Sequence, residues 1–295
     1  EKGYKKDEIV AQFTLNSNTF MAIYYGVQLA GLTVMPVNTK LAPPEIDFIF
    51  RHSEAKVLIF DEKLQATVDA TTYTFEYVLS LIEIEAILQE ESIPTLPQLD
   101  NEDTAVVMYT SGTTGKPKGV MLSHRNILET AQIWSDSMNM NEKDRMLICT
   151  PLFHCAGSHV FAVPTILKGG TVIVEEAFSP EQTLKKLVET KATIFFGVPA
   201  MYTILLNKPE LSTYNFEQLR LFCYGAAPMP YELVKRLKDA FPNVNVQNYV
   251  QNKASISNKE IYSSFMADPL ILQFEKASAI SYAYCSSQST KKAVD

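Results

Sequence analysis

Tyr109-Thr-Ser-Gly-Thr-Thr-Gly-Lys-Pro-Lys-Gly-Val120 is the most informative stretch of the 295-residue chain. It joins two apolar runs, 104–109 and 120–122, that are typical of strands. Its glycines let backbone N–H groups turn toward an anion, its hydroxyl groups can donate hydrogen bonds to that anion, and its lysines neutralise charge. The pattern therefore predicts a hairpin loop that binds a polyphosphate.

The loop is not a Walker A motif, G-x-x-x-x-G-K-[ST], in which a helix starts at once. Gly112 precedes Gly115 by only three positions, Pro117 follows Lys116, and the next run is strand-like. This spacing excludes a phosphotransfer kinase of that type. A solvated turn without a ligand is the structural alternative.

Apolar runs and amphipathic segments alternate on both sides of the loop, which predicts helix-flanked, mostly parallel sheets and an α/β fold. Ser17 and Ser123 stand at predicted helix starts, and Ser179-Pro-Glu-Gln182 reads as a capping box. Residues 61–103 look less regular. The predicted strands are 10–15, 33–37, 56–60, 104–109, 120–122, 147–150, 171–174, 192–196, 219–224 and 244–249.

Composition narrows the class of protein. Lys plus Arg is 26 and Asp plus Glu is 33, so the net charge is −7 and predicts no nucleic-acid partner. Two stretches without charged residues, 9–39 and 146–167, contain polar residues and prolines, so we expect buried core and no transmembrane segment. Four cysteines without a paired framework favour a reducing, cytoplasmic location.

Cys149, His154, Cys155 and His159 form a C-x4-H-C-x3-H pattern that could suggest zinc. The spacing fits none of the standard ligand sets, so no protein-ligand metal site is predicted.

The chain resembles the AMP-forming, adenylate-forming enzymes, which include the acyl-CoA synthetases. Residues 110–120 match every fixed position of that family's phosphate-loop signature, [Y/F]-T-S-G-[S/T]-T-G-x-P-K-G-V. Three further stretches are similar to family motifs in the same order: Pro151-Leu-Phe-His-Cys-Ala-Gly157, Gly225-Ala-Ala-Pro228 and Gln247-Asn-Tyr249. The resemblance covers about residues 1–250.

The resemblance implies a ligase that uses ATP, Mg²⁺ and coenzyme A. It would join a carboxylic acid, with a fatty acid as the first choice, to AMP and then transfer the acyl group to coenzyme A. It implies that His154 stands at the carboxylate. The phosphate-binding residues would be Thr110, Ser111, Gly112, Thr113, Thr114, Gly115, Lys116 and Lys118. The adenine and acyl-adenylate side would be Gly225, Ala226, Ala227, Gln247, Asn248 and Tyr249, and the acyl pocket Phe196, Gly197 and Val198.

The resemblance stops after Tyr249, where the family continues G-x-T-E and this chain has Val250-Gln-Asn-Lys253. Lys253 stands where the family has an acid that helps to hold Mg²⁺. We therefore expect residues 1–250 to be a partial large N-terminal AMP-binding domain, with the small C-terminal domain absent. Residues 251–295 would be a non-matching tail, frameshifted or disordered. We expect this chain alone to be inactive, with at most weak nucleotide binding. The alternative to an enzyme is a non-catalytic nucleotide-binding remnant or the product of a truncated pseudogene.

Overall fold

The computed structural model describes residues 3–87, 96–110 and 116–250, with side chains as far as Asn248. The predictions for residues 111–115, for the Tyr249 side chain and for 251–295 lie outside this part of the chain. The described chain divides into two compact units. Unit 1 holds the residues up to Glu129 together with Pro151–Ser158, and unit 2 holds Thr130–Thr150 and the residues from His159 onward.

Unit 1 alternates strands and helices around a six-stranded sheet. The elements are β1 (Ile9–Phe13), α1 (Asn18–Leu29), β2 (Thr33–Pro36), α2 (Pro43–Ser53), β3 (Val57–Phe60), a 3₁₀ turn (Glu62–Leu64), α3 (Gln65–Asp69), β4 (Tyr77–Ser80), α4 (Leu81–Ile87), β5 (Thr104–Thr110) and β6 (Lys118–Ser123). The strand order is β4-β3-β1-β2-β5-β6. Neighbouring strands are parallel except β5 and β6, which form an antiparallel hairpin.

The first helix shows how the sequence sets its own limits. The Ser17 side chain caps α1 by accepting a hydrogen bond from the Phe20 amide at 3.1 Å. Gly31 follows the helix with a φ of 76°, a left-handed conformation that glycine adopts without steric cost. The predicted helix between Ser17 and Gly31 is therefore confirmed.

Helix α5 (His124–Ser137) leads on to a second sheet, the five-stranded sheet of unit 2. The elements that follow are β7 (Arg145–Ile148), a π-helix (Ala156–Ala162), α6 (Val163–Leu167), β8 (Thr171–Val174), α7 (Pro180–Glu189), β9 (Ile194–Gly197), α8 (Pro199–Leu206), a 3₁₀ turn (Pro209–Thr213), β10 (Leu221–Gly225), α9 (Tyr231–Ala240) and β11 (Asn245–Val250). The strand order is β11-β10-β9-β7-β8, and all four pairings are parallel.

Each unit has its own hydrophobic core. In unit 1, Phe13, Ile46 and Phe50 are fully buried in a cluster that joins the sheet to α2. In unit 2, Phe195, Tyr202 and Phe222 are fully buried in a cluster that joins the sheet to helices α7, α8 and α9. The predicted α/β architecture with helix-flanked, mostly parallel sheets is confirmed.

One local prediction is wrong, and one strand was not predicted. Residues 61–103 include edge strand β4, which the sequence pattern did not predict and which pairs with β3 from Tyr77 to Ser80. The capping box at Ser179 does not form: α7 begins at Pro180 as expected, but the Ser179 side chain makes no capping hydrogen bond. Fixed φ at the first-turn proline is sufficient to start this helix.

None of the helices in the described part of the chain combines the length and the apolar character that crossing a membrane requires.

Candidate functional site

The predicted phosphate loop is carried by the β5–β6 hairpin at one edge of the unit 1 sheet. Thr110 pairs with Lys118 across the hairpin, at the end of the stem nearest the loop. Thr110, Lys116 and Lys118 are all exposed, and neither lysine forms an ion pair within the parts of the chain that the structure describes. Thr110 and Lys118 thus place an exposed hydroxyl group and an exposed cation at the end of the stem, and Lys116 adds a second exposed cation two residues before β6.

The stem has a specific packing arrangement at Tyr109 and Gly119, which face each other across the two strands. A Cβ atom on Gly119 would lie 3.3 Å from two atoms of the Tyr109 ring and 3.2 Å from Val107 Cγ1. Glycine at this position therefore lets the tyrosine ring lie against the backbone of β6. Burial raises the pKa of Tyr109 to about 12, so its phenol stays protonated at neutral pH.

The Tyr109 hydroxyl forms a hydrogen bond of 2.7 Å with His52 Nδ1. His52 lies in the last turn of α2 and is absent from the residues that the sequence singles out. Its contact with the hairpin joins positions 57 residues apart, so no local pattern could reveal it.

His154 lies in a loop that is tied to the end of β1. The Leu152 amide donates to Asn16 Oδ1 at 2.8 Å. The Ser158 hydroxyl donates to the His154 carbonyl at 3.1 Å, and the π-helix begins two residues after His154. π-Helical turns are rare and often occur at functional sites. The imidazole is therefore held on a backbone that is fixed on both sides.

The His154 side chain is exposed, and its Nδ1 accepts a hydrogen bond of 3.2 Å from the Ala156 amide. Partial burial lowers the pKa of His154, so the ring is neutral at pH 7. Because Nδ1 acts as an acceptor, the hydrogen of the neutral ring resides on Nε2. His154 can therefore donate a hydrogen bond from Nε2 to a carboxylate oxygen.

In unit 2, the predicted adenine and acyl residues meet at the carboxyl ends of three adjacent parallel strands. Tyr224 of β10 pairs with Gly197 of β9 on one side and with Asn248 of β11 on the other. Ligands of open α/β sheets bind outside the carboxyl ends of the strands. Three segments that are far apart in sequence are thus brought to one edge.

The backbone at this edge turns sharply just after β10. Ala226 has a φ of 65°, a left-handed conformation that is uncommon for a residue with a Cβ atom, and the register with β11 shifts between Tyr224 and Gly225. Backbone strain of this kind is often retained at functional sites. Ala226 and Ala227 are exposed beyond the strand end, where their backbone groups are accessible.

Asn248 offers a polar group at the same edge. Its Oδ1 atom is buried and has no hydrogen-bond partner within the described residues. A buried acceptor without a partner is costly, and a ligand N–H group would satisfy it. The exposed Gln247 precedes it on β11.

The residues of the predicted acyl pocket have packing roles of their own. Phe196 is buried, with its ring centroid 4.4 Å from that of Phe161 in the π-helix. A Cβ atom on Gly197 would lie 3.2 Å from the Tyr202 ring, whose hydroxyl donates to the Cys223 carbonyl at 2.7 Å. Gly197 is therefore explained by the core alone, and the assignment of Phe196, Gly197 and half-buried Val198 to an acyl pocket stays a prediction.

The side chains offer no cluster of metal ligands in the described part of the chain. Among the described residues, no group of three or more His, Cys, Asp or Glu side chains could hold a metal ion. Mg²⁺ beside a nucleotide is usually held by one or two carboxylates together with the phosphates. In the motif where the resemblance places such an acid this chain has Lys253, so that position does not fit the metal.

Comparison with known proteins identifies the class. The profile of the family described as "AMP-binding enzyme" matches residues 1–256, so the chain belongs to that family. This confirms the resemblance drawn from the phosphate-loop signature.

Two curated relatives and one solved structure show which members of the family this chain is similar to. The chain is 32% identical to feruloyl-CoA synthase of Amycolatopsis sp over 237 residues, covering 80% of this chain and 48% of that protein. It is 29% identical to long-chain-fatty-acid–CoA ligase FadD13 of Mycobacterium tuberculosis over 240 residues, covering 79% of this chain and 48% of that protein. The inhibitor-bound N-terminal domain of FACL13 from Mycobacterium tuberculosis superimposes with a TM-score of 0.78 at 28% identity, covering 85% of this chain and 64% of that one.

Both curated relatives are named as enzymes that join an acid to coenzyme A, as the resemblance implies. The chain spans about half the length of these relatives. The match to the N-terminal domain of FACL13 confirms the predicted fold class.

Proposed function

We propose that this chain is the nucleotide-binding part of an AMP-forming acid–CoA ligase. The observation that carries the proposal is the β5–β6 hairpin, in which exposed Thr110 and Lys118 end the stem and exposed Lys116 lies two residues before β6. The family match over residues 1–256 and the names of the curated relatives support it.

In the proposed reaction, a carboxylate oxygen of the acid attacks the α-phosphorus of ATP, and the bond to the β-phosphate breaks to release pyrophosphate. Lys116 and Lys118 would neutralise the departing phosphates, together with the hydroxyl and amide groups of Ser111–Gly115. The sulfur of coenzyme A would then attack the acyl carbon, AMP would leave with the bonding electron pair, and the thiol proton would be released.

The remaining residues would position the substrates. The Nε2–H group of neutral His154 would donate to the carboxylate and hold it for attack. Gly225, Ala226, Ala227, Gln247, Asn248 and Tyr249 would bind the adenine side, with Asn248 Oδ1 able to accept a hydrogen bond from the exocyclic amine. No step is assigned to Mg²⁺, since Lys253 stands where the family has an acid that helps to hold it.

We further propose that the acid is apolar, with a fatty acid ahead of an aryl acid. Phe196, Gly197 and Val198 would wall its pocket with apolar groups. One relative is named for a long-chain fatty acid and the other for a feruloyl group, so the two acid classes are the natural competitors in a direct test.

The test is acid-dependent exchange of labelled pyrophosphate into ATP, measured with a series of saturated fatty acids and with ferulate. An active ligase exchanges with at least one acid, and Lys253 at the position of the Mg²⁺-holding acid predicts weak exchange or none by this chain alone. Lys118→Ala should lower the rate about 100-fold, the typical effect of losing one group that stabilises transition-state charge. Lys143→Ala, at an exposed lysine of unit 2, is the matched control and should exchange normally. Failure of the chain both to bind ATP and to exchange pyrophosphate would refute the proposal.

A second candidate function, nucleotide binding without turnover, is favoured by one observation. Lys253 places a positive charge where the family carries a Mg²⁺-binding acid. ATP binding by calorimetry without any acid-dependent exchange would assign the chain to this second function.

A further inference from the structure

His52 is held at the end of α2 by contacts on two sides. Phe48, one turn earlier, stacks on it with a centroid distance of 5.5 Å and an interplanar angle of 24°. The Tyr109 ring meets it edge-on, with a centroid distance of 5.7 Å and an angle of 84°, and the 2.7 Å hydrogen bond joins Nδ1 to the tyrosine hydroxyl. The imidazole therefore has little freedom to rotate, although it is exposed to solvent.

Tyr109 transmits this contact to the hairpin. Its ring lies so close to Gly119 that a Cβ atom there would require the ring to move by a few tenths of an ångström. The next pair along the stem is Thr110 and Lys118, the two described residues that begin and end the proposed phosphate loop. The position of the Tyr109 ring therefore influences the position of the backbone at this end of the β5–β6 hairpin.

We propose that His52 is a positioning residue for phosphate binding, acting through Tyr109 on the stem of the β5–β6 hairpin. This inference rests on the proposed function, and it adds to it a residue that lies outside every family motif quoted above. His52 touches no phosphate itself. It holds the stem so that Thr110 and Lys118 stay in place when the polyphosphate of ATP arrives.

The proposed role of His52 predicts different effects on ATP affinity and on AMP affinity. The hairpin is assigned to the β- and γ-phosphates, which AMP lacks. Loss of the His52–Tyr109 bond should therefore weaken ATP binding and leave AMP binding unchanged. A contact that served only the stability of unit 1 would alter the melting temperature and would not discriminate between the two nucleotides.

The chemistry of the bond supplies a matched pair of variants. The Oδ1 atom of asparagine occupies the place of His Nδ1, whereas the polar end of glutamine reaches the place of Nε2. His52→Asn should therefore keep the bond to Tyr109, and His52→Gln should lose it. Tyr109→Phe removes the hydroxyl from the other side and should not add to the effect of His52→Gln, because both remove one bond.

The experiment is titration calorimetry of the whole chain with ATP and, separately, with AMP, for the wild type and these four variants. We expect His52→Gln, Tyr109→Phe and their double variant each to weaken ATP binding about three- to tenfold, the range for one hydrogen bond. His52→Asn should bind ATP within about twofold of the wild type, as a preserved hydrogen bond requires. AMP affinity should not change in any of them.

Each other outcome has a defined meaning. Equal ATP affinity in the wild type and in His52→Gln would overturn the inference and leave the proposed function intact. Equal loss of ATP and AMP affinity, or failure of His52→Asn to restore binding, would assign His52 a purely structural role and also overturn it. Absence of ATP binding in the wild type would refute the proposed function, and the inference with it.

Discussion

Gly170 lies in a tightly packed site and Gly26 faces open space, so the same substitution to alanine can be compared at the two positions. A Cβ atom on Gly170, just before β8, would lie 2.8 Å from the Asp144 carbonyl oxygen and 3.0 Å from Thr165 Cγ2. Gly26 is exposed within α1, and a Cβ atom there would have no neighbour within 4 Å outside its own helix. Gly170→Ala should destabilise the protein by about 1–3 kcal/mol through overpacking.

Gly26→Ala is the control and should stabilise the protein by about 0.5 kcal/mol, since alanine is the better helix former. Urea denaturation followed by circular dichroism measures both changes. A neutral Gly170→Ala variant would show that the turn before β8 relaxes easily and would contradict the packing described for it.

The cysteines differ in reactivity because only the thiolate attacks alkylating reagents. Burial, with the nearby Glu175 carboxylate, raises the pKa of Cys149 to about 12, and burial raises the pKa of Cys223 well above its ordinary value. Cys155 is exposed. In a Cys285→Ser background, iodoacetamide at pH 8 should label Cys155 in the folded protein, and the other two thiols only after unfolding.

Mass spectrometry of tryptic peptides identifies the labelled thiols. Adding Cys155→Ser should abolish labelling of the folded protein. Rapid modification of Cys149 without denaturant would contradict its place in the core of unit 2.

Among single residues, those in contiguous motifs could be predicted and those joined only by folding could not. His154 is predictable because it lies in a family segment, and the structure adds the Nδ1 contact that fixes its tautomer. His52 is not predictable, because its partner Tyr109 comes into reach only when β5 packs beside α2. The strained φ of Ala226 is equally invisible, since alanine gives no sign of a left-handed backbone.

At the scale of elements, two serines at helix starts should behave differently. The Ser17 side chain accepts a hydrogen bond from the Phe20 amide, whereas Ser179 makes no such bond. Ser17→Ala should therefore cost about 1 kcal/mol of stability. Ser179→Ala should cost no more than a few tenths of that amount, because no capping bond is lost.

Thermal denaturation of the two variants, prepared side by side, measures the difference. Equal losses would mean that Ser179 also caps its helix in solution, as the capping-box pattern at 179–182 predicts.

The amino ends of β7 and β10 are joined by an ion pair between the buried Asp144 carboxylate and the partly exposed Arg220 guanidinium. Asp144 accepts two hydrogen bonds from the Arg220 guanidinium, at 2.8 and 2.7 Å, and a third from the Thr193 hydroxyl at 2.7 Å. Burial opposes ionisation of Asp144, but these bonds outweigh it and lower its pKa. Arg220→Ala would leave a buried carboxylate without its partner and should destabilise the protein by about 3 kcal/mol.

The pH dependence has a definite sign. Because the pKa of Asp144 is lowered in the folded state, its stabilising contribution is complete above the unfolded value and is lost as the pH falls through the folded value. Arg220→Ala should reduce this acid sensitivity. Arg236→Ala, which removes an exposed contact with Asn207, is the control and should change stability by less than about 0.5 kcal/mol. An equal effect in the two variants would contradict the role of this ion pair.

The alternation of helices and strands could be predicted because apolar periodicity records burial directly. Strand β4 escaped prediction because its Tyr77–Ser80 run is only partly buried at the sheet edge and owes its conformation to pairing with β3. Strand order also depends on tertiary packing: β1 lies between β3 and β2 although the three follow one another in sequence as β1, β2, β3. The pattern of a single sequence indicates which segments are buried, but it does not show which strands lie next to each other in the sheet.

At the scale of the whole molecule, the net charge of −7 disfavours any polyanion. ATP can bind such a chain only where local cations and backbone amides outweigh the general field, which is the role that we propose for Lys116 and Lys118. Local charge also matters at Lys253, which stands where the family has an acid. If position 253 serves metal binding as the family's acid does, the Lys253 ammonium would repel Mg²⁺.

Lys253→Glu therefore tests whether this one charge reversal limits turnover. If Lys253 excludes Mg²⁺ from the ATP phosphates, the substitution should raise acid-dependent pyrophosphate exchange at least about tenfold, the effect of a coupling of about 1.4 kcal/mol between the new carboxylate and the metal. The increase should require Mg²⁺. Lys259→Glu makes the same charge change six residues away and should leave exchange unaltered. Equal rates in the wild type and both variants would mean that position 253 does not serve the metal in this chain.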